Sequence, residues 1–177
     1  SLVSLPPLNE EGNPTRAVQL ERPLDFVALT DHAEFLAETR LCTDPSSDVF
    51  GSDTCASFNQ QGVKGTATMG ILLTVPDPER HTDVCGEDGA QCRDLATTIW
   101  SEVQDAAEVW YDRTSSCELT TFVAYEYSGA TELANYHRNV IFRSLEAPLP
   151  ISSRDEPDIY AVWRRLREEC VDAGRGC

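Results

Sequence analysis

The sequence has very few basic residues and no long apolar run. Its 177 residues include 14 Lys plus Arg against 30 Asp plus Glu, and Lys64 is the only lysine. Proteins that bind the nucleic-acid backbone need a basic face, so this composition argues against nucleic acid as a partner. No apolar stretch reaches the roughly 20 residues that a transmembrane helix requires, so no membrane span is predicted. We interpret the acidic excess as a solvated surface, with a metal-rich or saline setting as the alternative.

The chain also lacks any Cys-x-x-Cys pair, although it contains seven cysteines. This absence argues against a zinc ribbon and against a thioredoxin-like redox motif. The short spacings between neighbouring cysteines suit local disulfides that close loops, and such bonds persist in oxidising compartments. We therefore expect a secreted or periplasmic protein. The predicted disulfides are Cys42–Cys55, Cys85–Cys92 and Cys170–Cys177.

The seventh cysteine, Cys117, is predicted to be unpaired within the chain. A helix predicted from about residue 93 to 111 is roughly 28 Å long at 1.5 Å per residue. The short segment after that helix can retrace at most about 20 Å. A disulfide needs Cα atoms within about 7 Å, so Cys92 lies out of reach of Cys117. Cys85 is separated from the helix by more residues and can therefore lie closer to Cys117, so the prediction of the Cys85–Cys92 pair is less strictly determined by distance.

Two patterns predict the regular elements. Short runs of apolar, β-branched and aromatic residues predict strands, and apolar residues three to four positions apart predict helices. The predicted strands are residues 24–29, 119–128 and 137–144. The predicted helices are residues 93–111 and 156–173, with a helical turn at 33–41. Asp155 is predicted to cap the last helix, and Gly174 is predicted to end it.

Two segments show neither the strand pattern nor the helical spacing of apolar residues. Residues 1–22 are predicted to be an extended lead-in without strand or helix. Residues 42–92 are rich in Asp, Ser, Gly, Thr and Pro and are predicted to be a long irregular insertion, which local disulfides make tolerable. The order of the elements predicts a single α/β domain over residues 1–177. Functional sites of such folds lie at the carboxyl ends of the strands.

Three candidate ligands lie at the ends of the predicted strands. His32 follows the first strand in the stretch "LDFVALTDHAEF", Glu126 lies near the end of the second, and His137 begins the third. Imidazole with carboxylate suits a divalent zinc, manganese or iron ion, and Asp31 can fix the tautomer of a neighbouring imidazole. The alternative is a structural role, because a single strand-end histidine is often a hydrogen-bonded structural residue and Glu126 can face solvent.

Three sequence blocks resemble one family. "PLDFVALTDHAEFL", "TTFVAYEYS" and "YHRNVIFR" together resemble an uncharacterised family of secreted bacterial proteins in the PHP superfamily, named for polymerase and histidinol phosphatase domains. The resemblance implies a distorted (β/α)7 barrel that holds two or three divalent metal ions and hydrolyses phosphoesters. On that pattern His32 matches the histidine of the second motif, Glu126 the bridging glutamate, and His137 the histidine that follows it.

Other parts of the superfamily pattern are missing. The opening His-x-His, the histidine of a later "PHN" block and the closing Asp-x-His are absent, because the chain has only three histidines. The chain therefore resembles the middle portion of a longer parent, a single incomplete PHP-like domain. Remaining segments of the same parent are expected as partners, and the isolated chain is expected to be poorly active.

The leading functional hypothesis is a segment of a metal-dependent phosphoesterase. Its substrate is expected to be a small anionic or phosphorylated molecule, which Arg138 can contact unless it pairs with a surface acid. The alternative is a non-catalytic, disulfide-stabilised binding or scaffold module with a PHP-like fold. The metal hypothesis predicts that His32, Glu126 and His137 converge within roughly 8 Å of a common point, although up to 105 positions separate them.

Overall fold

The computed structural model describes residues 3–60, 65, 67, 70, 80–131 and 134–177. These residues form a mixed α/β structure, as predicted. The strands are β1 (Val3–Leu8), β2 (Pro14–Val18), β3 (Phe26–Ala28), β4 (Thr120–Phe122), β5 (Ala124–Thr131) and β6 (Ala134–Ile141). The helices are α1 (Leu36–Thr43), α2 (Asp53–Phe58), α3 (Thr82–Cys85), α4 (Ala90–Trp110) and α5 (Ile159–Leu166). A 3₁₀ turn (Ala33–Phe35) precedes α1, and a π-helical segment (Arg167–Asp172) extends α5.

The first two strands form an antiparallel hairpin, so the prediction that residues 1–22 lack strands is wrong. The turn is closed by Asn9, whose side chain accepts a hydrogen bond from the backbone of Asn13, and by Gly12 at a φ of +81°. Every residue of β2 is exposed. A strand with no buried face shows no alternation of apolar and polar residues, so the usual sequence signal is missing.

The remaining strands bring distant parts of the chain together. β3 pairs with β4 in parallel, and β5 pairs with β6 in an antiparallel ribbon. An isolated parallel bridge joins His32 to Glu126, so the chain beyond β3 continues alongside β5. Among the described strands these pairings give three two-stranded sheets and no closed barrel. The barrel implied by the resemblance is therefore not formed by these residues.

The main core lies between α4 and the β5–β6 ribbon. Trp100 packs edge-on against Tyr125 and Phe142, with ring centroids 6.0 and 6.2 Å away. Such aromatic pairs add about 0.5–1.5 kcal/mol each beyond their buried area. Tyr125 and Tyr127 both point into this core. Residues on a strand alternate between its two faces, so Glu126 and Ser128 lie on the opposite face of β5.

A second core contains two disulfides. Cys42–Cys55 and Cys85–Cys92 are fully buried beside Ala37 and Val84. All three predicted disulfides are present, Cys170–Cys177 included, and Cys117 is free and exposed, so these predictions are confirmed. The segment 42–92 is less irregular than predicted, because it contains α2, α3 and the start of α4. Most of residues 61–79 lie outside the described part of the chain.

The two long helical segments differ from prediction mainly at their starts. α4 begins at Ala90, near the predicted position, and no helix of the described residues is long and apolar enough to cross a membrane. The last helix starts later than predicted, because Asp158 accepts the capping hydrogen bond from Tyr160. Asp155 instead forms an ion pair with Arg80. Gly174, at a φ of +69°, follows the end of the helical segment, as predicted.

Candidate metal centre

His32, Glu126 and His137 form one cluster in the structure. One ligand atom of each lies within 4.8 Å of the ligand atoms of the other two. The Oε1 atom of Glu126 is 2.6 Å from Nδ1 of His137 and 3.9 Å from Nδ1 of His32. The two imidazole rings meet edge-on, with centroids 5.6 Å apart. The predicted convergence is therefore present, whereas metal binding by these residues stays a prediction.

Backbone pairing explains why the three side chains meet. Glu126 and Ser128 share the face of β5 that lies opposite the tyrosine core, and Ser128 pairs directly with His137 on β6. This register places His137 diagonally across from Glu126 on the same face. On the other side, the backbone amide of Glu126 donates a 2.8 Å hydrogen bond to the carbonyl oxygen of Asp31. His32, the next residue, is thereby held beside the ribbon.

Ser128 joins the two histidines and was not predicted from the sequence. Its Oγ atom lies 2.8 Å from Nδ1 of His32 and 2.8 Å from Nδ1 of His137. A hydroxyl has a single proton to donate, so it can serve as donor to only one of the two imidazoles. The other imidazole must either donate its own N–H proton to the Ser128 oxygen or keep an unprotonated Nδ1, which can bind a cation. Ser128 is fully buried, so a hydrogen bond that the imidazoles do not supply is costly to lose.

Glu34 is a second residue that sequence reasoning did not assign to the site. It is fully buried in the 3₁₀ turn that follows His32. Its Oε1 atom accepts hydrogen bonds from the backbone amides of Ser128 (3.0 Å) and Ser153 (3.2 Å). Burial raises the pKa of Glu34, and the two amide bonds oppose that rise. Its Oε2 atom lies 3.6 Å from Nδ1 of His32. The sequence signal was an acid two positions after the histidine in "DHAEF".

One side of the cluster is open to solvent. The side chains of His32 and His137 are 42% and 45% exposed, whereas Glu126 is 19% exposed. An ion or a small ligand can therefore reach the histidines without a change in the fold. A largely apolar groove of about 740 Å³ begins at Asp31 and His32. It continues between α1 and α4, where Phe35, Leu36 and Val103 contribute to its walls.

The donor set fits a divalent transition metal. Two imidazole nitrogens and one carboxylate oxygen are ligands that zinc, manganese and iron accept. Ligands about 2.0–2.1 Å from a tetrahedral zinc ion are about 3.3–3.4 Å apart. The distances from Glu126 Oε1 to the two Nδ1 atoms, 2.6 and 3.9 Å, bracket that value. The fully buried Oε2 of Glu34, which has no hydrogen-bond partner, adds negative charge next to this donor set.

Asp31, predicted to orient an imidazole, and Arg138, predicted to contact the substrate, do not join the cluster through their side chains. The exposed Asp31 contributes its backbone carbonyl, which accepts the hydrogen bond from Glu126. Arg138 pairs with Tyr127 across the ribbon and so lies on the face opposite His137. Its guanidinium lies 5.5 Å from the ring centroid of Tyr136 and donates to the carbonyl of His137. Within the described residues Arg138 forms no ion pair, so the expected pairing with a surface acid is absent.

The third histidine has a structural setting. His81 is partly buried at the start of α3. Its Nδ1 atom lies 3.2 Å from Oγ1 of Thr54, and Thr54 also donates to Asp83. Burial lowers the pKa of His81, with a further contribution from the positive charge of Arg154. His81 therefore serves as a control histidine that lies outside the candidate centre.

A second group of possible ligands is excluded by its chemistry. Glu38, Cys85 and Cys92 lie close enough together to share an ion. The two cysteines are joined in a disulfide, and a disulfide sulfur is not the thiolate that binds metals. The histidine–glutamate cluster is thus the stronger metal candidate in the described part of the chain.

Fold and site together define an α/β protein with a histidine–carboxylate cluster formed by the segment after β3 and by the β5–β6 ribbon. The chain belongs to the family described as "Protein of unknown function (DUF3604)", whose family model matches residues 8–177. No curated protein and no solved structure matches the chain. The family description names no activity, so a function has to be argued from the geometry of the cluster.

Proposed function

We propose that this protein is a segment of a secreted or periplasmic, metal-dependent phosphoesterase of the PHP type. The observation that carries the proposal is the convergence of His32, from the segment after β3, with Glu126 and His137 on the β5–β6 ribbon. Such convergence places two imidazoles and a carboxylate around one point that solvent can reach. A structural role alone needs no partly exposed histidine pair, because exposed polar groups can hydrogen-bond to water.

In this proposal His32, Glu126 and His137 hold a divalent ion, either zinc, manganese or iron. When bound, such an ion lowers the pKa of a water molecule and neutralises charge on phosphoryl oxygens. The chain itself supplies the orientation of the ligands. Ser128 spaces the two imidazoles, and the carbonyl of Asp31 anchors the backbone of Glu126. We omit Arg138 from the substrate-binding residues, because it lies on the other face of the ribbon.

The apolar groove supports a substrate with an organic group. Its volume of about 740 Å³ lies within the range of small-molecule sites, about 300–1,000 Å³. It begins at Asp31 and His32, so a phosphoester bound at the cluster can place its organic group between α1 and α4. The ion pair of Arg40 with Glu102 lies farther along the same groove.

Exposed apolar residues support an incomplete PHP-like domain. Leu24, Phe26 and Leu29, in and around β3, are 51%, 66% and 69% exposed. Parallel strands are normally covered on both faces, so an open parallel pair fits a sheet that other segments complete. We propose that remaining segments of the same parent cover these residues and supply further metal ligands. On this basis we expect the isolated chain to turn over generic phosphoesters poorly.

The alternative function is a non-catalytic binding or scaffold module. The observation that favours it is the disulfide framework, in which two bonds build a second core. Such a framework stabilises a domain whether or not it retains chemistry. This alternative predicts that the histidine cluster binds no metal with useful affinity.

Metal titration distinguishes the two functions. The oxidised chain is freed of metal with a chelator and titrated with Zn²⁺ and Mn²⁺ in a calorimeter. We expect binding by the wild type and at least about 100-fold weaker binding by His32→Ala and His137→Ala, since each removes a ligand. His81→Ala is the control and should bind like the wild type. Absence of binding by the wild-type chain and by the intact parent contradicts the phosphoesterase proposal and favours the module.

A further inference from the structure

Glu34 has an unusual arrangement for a carboxylate. It is fully buried, and its two oxygens have different surroundings. Oε1 accepts two backbone hydrogen bonds, from Ser128 on β5 and from Ser153 in the segment before α5. Oε2 is also buried and accepts no hydrogen bond within the described structure. A buried carboxylate oxygen without a partner is costly, so its retention calls for a reason.

The group that Oε2 faces is an imidazole of the candidate metal centre. Nδ1 of His32 lies 3.6 Å away, which is too far for a hydrogen bond but close enough for the charge of the carboxylate to act on the imidazole. The same Nδ1 atom lies 2.8 Å from Ser128 Oγ and 3.9 Å from Glu126 Oε1. Glu34 thus lies on the side of His32 where the other members of the cluster also lie.

The carboxylate is fixed in place by the rest of the fold. Its two backbone donors belong to separate segments, so the Glu34 side chain links the turn after β3 to β5 and to the loop before α5. Arg154, whose guanidinium lies 4.6 Å from the ring centroid of Phe35, is a further source of positive charge near Glu34. Side chains that surround metal ligands without binding the ion commonly orient those ligands, and their loss reduces metal affinity by about 10–100-fold.

We infer that Glu34 is a positioning residue of the metal centre, which holds the imidazole of His32 with Nδ1 turned towards Glu126 and His137. This inference rests on the proposed metal-binding function. Without the carboxylate the His32 ring, which is partly exposed, is free to turn its Nδ1 atom away from the cluster. In its ionised form Glu34 also adds a negative charge close to the position of a bound cation, which favours cation binding.

The chain contains a matched control for this residue. Glu38 lies one helical turn further on, is equally buried, and also has an Oε2 atom without a hydrogen-bond partner. Its Oε1 atom, however, pairs with Arg80 at 3.1 Å, and its carboxylate lies near Cys85 and Cys92 and is not a member of the histidine cluster. A substitution at Glu38 therefore tests the effect of losing a buried carboxylate without touching His32.

The test compares Glu34→Gln with Glu38→Gln in the full oxidised chain. Glutamine retains the carbonyl oxygen that the two backbone amides need, so we expect Glu34→Gln to fold. Calorimetric titration with Zn²⁺ should show affinity about 10–100-fold weaker than wild type for Glu34→Gln. Glu38→Gln should bind Zn²⁺ within about 3-fold of wild type, whatever its stability. Equal affinity of Glu34→Gln and wild type, or equal losses in both variants, overturns the inference.

A second measurement needs no metal. Long-range ¹H–¹⁵N spectra of the metal-free chain report the tautomer and surroundings of each of the three histidines. We expect Glu34→Gln to shift the ring nitrogen signals of His32 and to leave those of His81 unchanged. Glu34→Asp retains the charge and should give a smaller shift, which covers the case in which the glutamine variant does not fold. Unchanged His32 signals in both variants overturn the inference. If the wild type binds no metal but the His32 signals still shift, the metal function fails and the positioning by Glu34 stands.

Discussion

The backbone amide of Glu126 donates a 2.8 Å hydrogen bond to the carbonyl oxygen of Asp31. This bond joins the end of β3 to the middle of β5, and it sets His32 next to the carboxylate of Glu126. The residue expected to act through its carboxylate thus acts through its main chain. The candidate centre is consequently built on paired backbone, which positions side chains more rigidly than loops do.

Ser128→Ala should uncouple the two histidines. The substitution removes a buried hydroxyl that contacts both imidazoles, so we expect the free energy of unfolding to fall by about 1–2 kcal/mol. The histidine ring signals of His32 and His137 should both move in the metal-free protein. Ser152→Ala is the control, because Ser152 is equally buried but bonds to Asp155. Shifts of the two histidines in the control as well would show that the effect is not local.

Stability of the metal-free chain should depend on pH through Glu34. Burial raises the pKa of Glu34 above its ordinary value of 4.5, so the folded state favours the protonated form. The stability that this group contributes is fully present below about pH 4.5 and is lost as the pH rises through the raised pKa. Glu34→Gln carries no such charge, so the variant should become more stable than wild type as the pH increases from 4.5 to 7.5. Urea unfolding across this range measures the difference, and a constant difference would contradict the assignment.

Arg80 should be essential to the second core. Its guanidinium pairs with Glu38 at 3.1 Å and with Asp155 at 2.8 Å, and its side chain is only 14% exposed. Arg80→Leu removes the cation that forms the ion pair with the buried Glu38, which should cost about 3–5 kcal/mol of unfolding free energy. The double variant Arg80→Leu with Glu38→Leu should regain a large part of that loss. Additive losses in the double variant would show that the pair is not coupled.

The disulfides should stabilise the fold without contributing to the metal centre. Replacement of Cys42 and Cys55 by alanine opens a loop of 13 positions and should reduce the free energy of unfolding by about 3 kcal/mol. Zn²⁺ affinity should stay within about 3-fold of wild type under conditions where the variant is folded. Cys117→Ser should change neither quantity, because that thiol is free and exposed. A large loss of metal affinity in the first variant would place the disulfide core within the site.

Much of the candidate site was accessible from the sequence. The predicted strand ends and the resemblance to one family point to His32, Glu126 and His137, and the structure places them together. The predicted strand-end positions are wrong for Glu126 and His137, which lie inside β5 and β6. Glu34 and Ser128 were missed because their relevance depends on contacts 94 and 96 positions apart in sequence. No local pattern reports such contacts. The hairpin of β1 and β2 was missed for a different reason, since an exposed strand has no apolar alternation.

By itself the sequence determined the features that depend on short-range physics. The close cysteine spacings determined the three disulfides, and the apolar periods determined the positions of α4, β6 and the last helical segment within a few residues. The predicted strand 119–128 is divided in the structure into β4 and the start of β5, which belong to different sheets. Tertiary structure alone decided which polar groups share one site. The bond from Glu126 to Asp31 and the burial of Glu34 arise only when β3, β5 and the segment before α5 pack together. Packing removes water from these groups, so the hydrogen bonds and charge interactions between them are stronger than they would be in water.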